Sequence, residues 1–196
     1  MPKKVEDQAL WARLMRPLAV VFGLAVCVAC GLAAWQRNAP LSAPTLYPFS
    51  ETWYAKSMAA TAPTDGVADA QTAIRLAPAR AENWMLLAYQ YSRTDRGITP
   101  RVVAAVRQSY AVSPLAYEVT AYRLTFIFNA WTKMPQDVRE LGRIEARQYG
   151  TTSKGLAFLV QTVPTIVDPR AHLEFAVMTM IAQTQFYTSI LEPRKN

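Results

Sequence analysis

Residues 18–35, LAVVFGLAVCVACGLAAW, carry no charged side chain. As a helix at about 1.5 Å per residue they reach roughly 27 Å, close to the hydrocarbon thickness of a bilayer. Trp11 and Trp35 flank the run, as interfacial tryptophans do. Lys3, Lys4, Arg13 and Arg16 precede it, and only Arg37 follows closely. The positive-inside rule then leaves the N-terminus in the cytoplasm and exports the chain beyond the run. Two alternatives stay open. Gly31-Leu32-Ala33 offers a small-residue cleavage site, and Cys27 and Cys30 each satisfy half of a lipidation pattern.

The two cysteines both fall inside this run, so no intramolecular disulfide can staple the rest of the chain. Their CxxC spacing is followed by Gly31, not by the histidine that haem attachment needs. They read as small membrane-embedded residues. The net charge of +7 divides into +2 over residues 1–34 and +5 over residues 35–196. Spread over that length it is an ordinary soluble surface, and no nucleic-acid-binding motif accompanies it. Residues 36–49 hold three prolines and no periodicity, which predicts a stiff, extended linker.

From residue 50 the chain reads as helices separated by prolines. Ser50 can cap one helix and Asp65 a second, which carries Val67, Ala70, Ala73, Ile74 and Ala77 and is closed by Pro78. Trp84, Leu87, Ala88 and Tyr91 fall at i, i+3, i+4 and i+7, one stripe of a third helix. Thr94–Gly97 ends it. Thr99-Pro100 starts a fourth helix, with Val102, Val103, Val106 and Tyr110, closed by Pro114. The apolar block 115–131, carrying Arg123, predicts a buried central helix. Another helix should begin after Pro135 with Val138, Leu141, Ile144 and Ala146. Residues 155–169 predict a short apolar segment broken at Pro164, and Asp168-Pro169 should open a last helix over 170–190. Glu174, Gln183 and Gln185 argue against that helix spanning a membrane.

Leu76-Ala77-Pro78 and Val112-Ser113-Pro114 occupy matching places 36 residues apart. A helix–turn–helix unit at this period resembles a tetratricopeptide array. Ala73 and Pro78 match that family's end-of-repeat residues, and Trp84, Leu87, Ala88 and Tyr91 its first-helix positions. Residues 50–132 cover about two and a half such units. The next unit departs from the pattern, with Thr120 and Arg123 where Trp84 and Leu87 stood. The resemblance implies an all-α domain over 50–196, a right-handed array of antiparallel helix pairs with a C-terminal capping helix.

Catalytic signatures are missing from the sequence. His172 and Glu174 are two apart and diverge on a helix. A lone histidine rules out a three-histidine zinc site. The nucleophile, phosphate-loop and metalloprotease motifs do not occur. Asp65 and Asp69, and Glu140 and Glu145, read as caps and ion pairs. No catalytic, cofactor or metal residue is assigned.

Docking candidates remain. Arg139, Arg143 and Arg147 stand four apart on one helix face, where like charges repel slightly. A solvated face relieved by nearby carboxylates explains the row. So does a strip for anionic lipid, acidic polysaccharide or an acidic partner. Arg93, Arg96, Arg101 and Arg107 form a second basic cluster, and Tyr89 lies off the packing stripe of its helix. Tyr117, Tyr122, Phe126, Phe128 and Trp131 make the block 115–131 rich in aromatics, which predicts core. The motif Trp131-x-x-Met134-Pro135-x-Asp137-x-Arg139 after an apolar helix is similar to small anchored repeat proteins of alphaproteobacterial type linked to surface or exopolysaccharide export. That resemblance implies a bacterial inner-membrane protein with a periplasmic domain, a non-catalytic scaffold among envelope proteins. An accessory subunit for cytochrome maturation or secretion, and an envelope enzyme acting on polysaccharide, are its rivals.

Overall fold

The computed structural model describes residues 3–38 and 49–191, with side chains for 19–36 and 49–188. It is helical almost throughout, and no strand occurs among the described residues. The helices are α1 (Lys3–Asn38), α2 (Ser50–Ala59), α3 (Pro63–Leu76), α4 (Ala81–Thr94), α5 (Pro100–Val112), α6 (Tyr117–Asn129), α7 (Gln136–Tyr149), α8 (Ser153–Thr162) and α9 (Pro169–Leu191). Single 3-10 turns follow α6 at Trp131–Lys133 and α8 at Val163–Thr165. The chain divides into two compact units, 1–52 and 53–196.

In the first unit, α1 is long and apolar enough to cross a membrane over Ala19–Gln36. Val21, Phe22 and Leu24 are about two-thirds exposed, so no protein core accounts for its composition. Cys27 and Cys30 are free and exposed. The helix is longer than the expected span: it begins at Lys3 and continues through Gln36–Asn38, which the sequence assigned to the linker. The rest of that linker, 39–48, lies outside the described residues.

In the second unit, α4 packs on α3 and α5, α6 on α7, and α8 on α9. Alternate helices also touch, α4 with α6, α5 with α7 and α7 with α9. These helices share one apolar core, including Met85, Leu86, Val106, Leu124, Ile127, Phe128 and Phe175. Being flanked on three sides, α4 buries more than the stripe read from sequence. Leu87 and Ala88 are buried, but so are Met85 and Leu86, while Trp84 and Tyr91 are only partly covered.

Helix boundaries follow local chemistry with some differences. Pro63 starts α3, not Asp65, because its fixed φ suits the first helical position. Asp65 sits in the first turn, where a carboxylate complements the helix dipole. Ala73 is fully buried in α3, and Pro78 and Pro114 lie just past the ends of α3 and α5. The expected helix over 115–131 is shorter, since Trp131 belongs to the 3-10 turn. Asp168 caps α9, its carboxylate accepting from the backbone N–H of Arg170 and Ala171.

The close of α4 carries a small strain. Asp95 N–H makes the last ordinary helical bond, to the Tyr91 carbonyl, and Gly97 N–H reaches back across it to the Ser92 carbonyl. This is the Schellman pattern, whose left-handed residue is usually glycine. Here it is Arg96, with φ 54°, and the glycine comes one place late.

Helix α9 closes the unit on α6, α7 and α8. Phe175 meets the ring of Phe128 edge-on at 4.7 Å. Gly150 lets α9 approach closely, because a Cβ there would lie 2.6 Å from that of Ala182.

Candidate functional site

The seven arginines among the docking candidates do not form one basic patch. Arg93 turns inward and closes the end of α2, donating to the carbonyls of Ala60 and Thr61 at 3.2 and 3.3 Å. Arg101 forms a bidentate pair with Asp95 and lies over the Tyr91 ring, 4.4 Å from its centre. The bonds from Arg101 and from the Thr99 hydroxyl lower the Asp95 pKa to about 2. Arg107 is bidentate on Asp137.

In the row on α7, the middle member is neutralised. Arg143 bridges Glu140 and Glu174, at 3.1 and 3.2 Å. Arg139 and Arg143 stack over the buried Trp131 ring, 5.7 and 5.0 Å from its centre. Stacking offsets their mutual repulsion, because the ring face is electron-rich. Arg139 leaves a buried Nε without a hydrogen-bond partner. Among the described residues, Arg96, Arg139 and Arg147 form no ion pair.

What the fold does gather is aromatic. Tyr89 on α4 and Tyr122 on α6 come together, and Tyr54 on α2, 68 positions from Tyr122, lies near enough to act on its hydroxyl electrostatically. Tyr89 and Tyr122 meet edge-on at 6.5 Å, and Tyr122 stands 6.3 Å from Phe126. Arg93 lies over Tyr89 at 5.7 Å. The Tyr122 hydroxyl is buried with no partner. Burial, then the neighbouring Tyr54 and Tyr89, push its pKa up, so it stays a proton donor. Tyr54, Tyr89, Tyr122 and Phe126 are all partly exposed, an amphipathic face of the kind that dominates protein interfaces.

A second constellation is fully enclosed. Arg123 on α6 is 0% exposed and Glu145 on α7 is 2% exposed, and they pair at 3.0 Å. Tyr110 and Thr120 also donate to this carboxylate, at 2.6 and 2.7 Å. Burial pushes the Glu145 pKa up, opposed by Arg123 and these two donors. Arg123 further donates to the carbonyls of Ser109 and Ser113, at 3.1 and 3.2 Å, and stacks on the Tyr110 ring at 4.0 Å. With both oxygens of the carboxylate engaged and no opening to solvent, the group ties α5, α6 and α7 together. One lone cation in an apolar helix demands a buried counter-charge. That was the available signal for this pair. Glu145, which the sequence paired with Glu140, is the partner it demands.

No group of three or more potential metal ligands occurs among the described residues. His172 is exposed on α9. Comparison with known proteins finds no matching family model, no matching curated protein and no matching solved structure.

Proposed function

We propose that this chain is a membrane-anchored, non-catalytic scaffold, a degenerate tetratricopeptide-type array that docks a protein of the cell envelope. On this reading α1 is an uncleaved anchor with its N-terminus in the cytoplasm, and the helical unit stands in the periplasm. The observation that carries the reading is the face shared by Tyr54, Tyr89, Tyr122 and Phe126, with Arg93 beside it. Rigid amphipathic rings on three different helices offer contact area at low entropic cost. The buried, unpaired Tyr122 hydroxyl is a donor for which docking supplies an acceptor once the ring shifts. The enclosed ion pair ties α6, one of the three helices of this face, to α7. The first partners to seek are proteins of surface or exopolysaccharide export.

The test is photo-crosslinking in intact membranes, with a photoreactive phenylalanine analogue at position 89 and a control at the exposed Leu76. Capture of export proteins at 89 and not at 76 supports the proposal. Capture of haem-handling proteins moves the chain to cytochrome maturation. Absence of any protein capture at 89 sinks the scaffold reading.

A further inference from the structure

The outer face of α9 is bare among the described residues. Leu173, Val177, Met180 and Tyr187 fall at one helical stripe and are 65, 42, 60 and 58% exposed. Ile181 widens it, at 40%. Isolated exposed apolar residues are ordinary, but a stripe of them, interrupted here only by the exposed Thr184, marks an interface.

Three features say what covers it. First, α9 carries charge only near its start, at Arg170 and Glu174, and residues 175–191 hold none, on a chain whose net charge is +7. Two copies of such a chain repel wherever charge faces charge, and least along a neutral stripe. A helix built for a membrane surface would instead flank its apolar face with lysine and arginine. Second, the two halves of α9 differ. Beside its C-terminal half a cleft of about 410 Å³ opens between α8 and α9, lined by Leu156, Val160, Gln183, Phe186 and Tyr187. On its N-terminal half Leu173 projects without cover. Met180 stands midway, seven residues from each of Leu173 and Tyr187. Third, the exposed apolar groups offer roughly 500 Å² per copy, so a pair would bury about 1,000 Å², the lower bound for a specific interface.

We propose that α9 is a homodimer interface, two copies packing antiparallel about a two-fold axis through Met180. Leu173 of one copy then enters the cleft beside Tyr187 of the other, and the reverse contact follows by symmetry. The contact is independent of the aromatic docking face on α2, α4 and α6.

The full chain, purified in detergent with Cys27→Ala and Cys30→Ala, carries the test. Met180→Cys forms a disulfide dimer on mild oxidation. Leu173→Cys alone does not, nor does Tyr187→Cys alone, but a mixture of the two does. Met180→Lys weakens association by roughly tenfold or more, and mixing it with Met180→Glu restores the dimer. All three sites are exposed, so the variants keep their helicity. A monomer by light scattering at concentrations where the anchor is fully solubilised overturns the proposal. So does a dimer that survives Met180→Lys, or one that crosslinks equally through a cysteine at position 180 and through one at an exposed site off the stripe.

Discussion

The turns after α3 and after α5 lie 36 positions apart and solve one problem in two ways. Each helix ends with carbonyls that have no partner within it. After α3, Asn83 donates to the carbonyls of Ala73 and Ala77, and the Trp84 indole to that of Pro78. The positions 36 further on are Ser109, Ser113 and Pro114, and their carbonyls are also satisfied. There, however, Val119 and Thr120 stand where Asn83 and Trp84 stood, and Arg123 replaces Leu87. Valine has no donor and the Thr120 hydroxyl bonds elsewhere, so Arg123 reaches back from one turn further along. Its charge then requires Glu145. Where two neutral donors serve the first turn, an ion pair that binds a third helix serves the second. The same backbone need is met by neighbouring residues after α3 and through a further helix after α5.

This contrast can be broken at four places. Arg123→Met should cost most, about 3–5 kcal/mol in denaturant unfolding, because Glu145 is left as an uncompensated buried charge. Adding Glu145→Gln should recover part of that. If the two substitutions add independently, the ion pair is not the coupling element. Asn83→Ala should cost about 0.5–1.5 kcal/mol, since the Ala73 and Ala77 carbonyls lose one donor but keep the backbone N–H of Ala77 and of Arg80, and no charge is stranded. A cost equal to that of Arg123→Met would erase the distinction between the turns. Trp84→Phe keeps most of the packing and removes one hydrogen bond, so about 1 kcal/mol is expected from urea unfolding.

The smallest effect lies outside both turns, at Asp95. Its pKa is lowered from 3.8 to about 2 in the folded chain. The folded state therefore gains from this carboxylate above pH 3.8, and the gain is lost as pH falls through about 2. Asp95→Asn should flatten that acid limb and leave the neutral-to-alkaline profile unchanged. Urea midpoints measured from about pH 2 to 7 decide it, and an unchanged acid limb would rule out the Arg101 pairing.

Much of the helical order was readable in advance. Pro63, Pro78, Pro100, Pro114, Pro135 and Pro169 each border a helix, because proline fixes φ and cannot donate to the preceding turn. The freedom of residues 18–35 from charge was equally plain, although α1 runs beyond them at both ends. The candidate sites were less legible. Arg93, Arg101, Arg107 and Arg143 looked like a basic surface, yet each has a partner in the fold. Asp137 is 30 positions from Arg107, and Glu174 is 31 from Arg143. Charge in a linear sequence is visible, but neutralisation by distant residues is not.

By itself, the sequence determined the elements: an apolar N-terminal helix, a series of shorter helices, the prolines between them and a 36-residue recurrence. Those depend on local sterics, hydrogen bonding within a turn and the apolar content of a segment. Tertiary structure decided which polar groups meet. It buried Arg123 against Glu145, drew Tyr54, Tyr89 and Tyr122 into one face and left the outer stripe of α9 bare. Such outcomes depend on contacts between helices, and a periodicity read along one helix does not say what lies across from it.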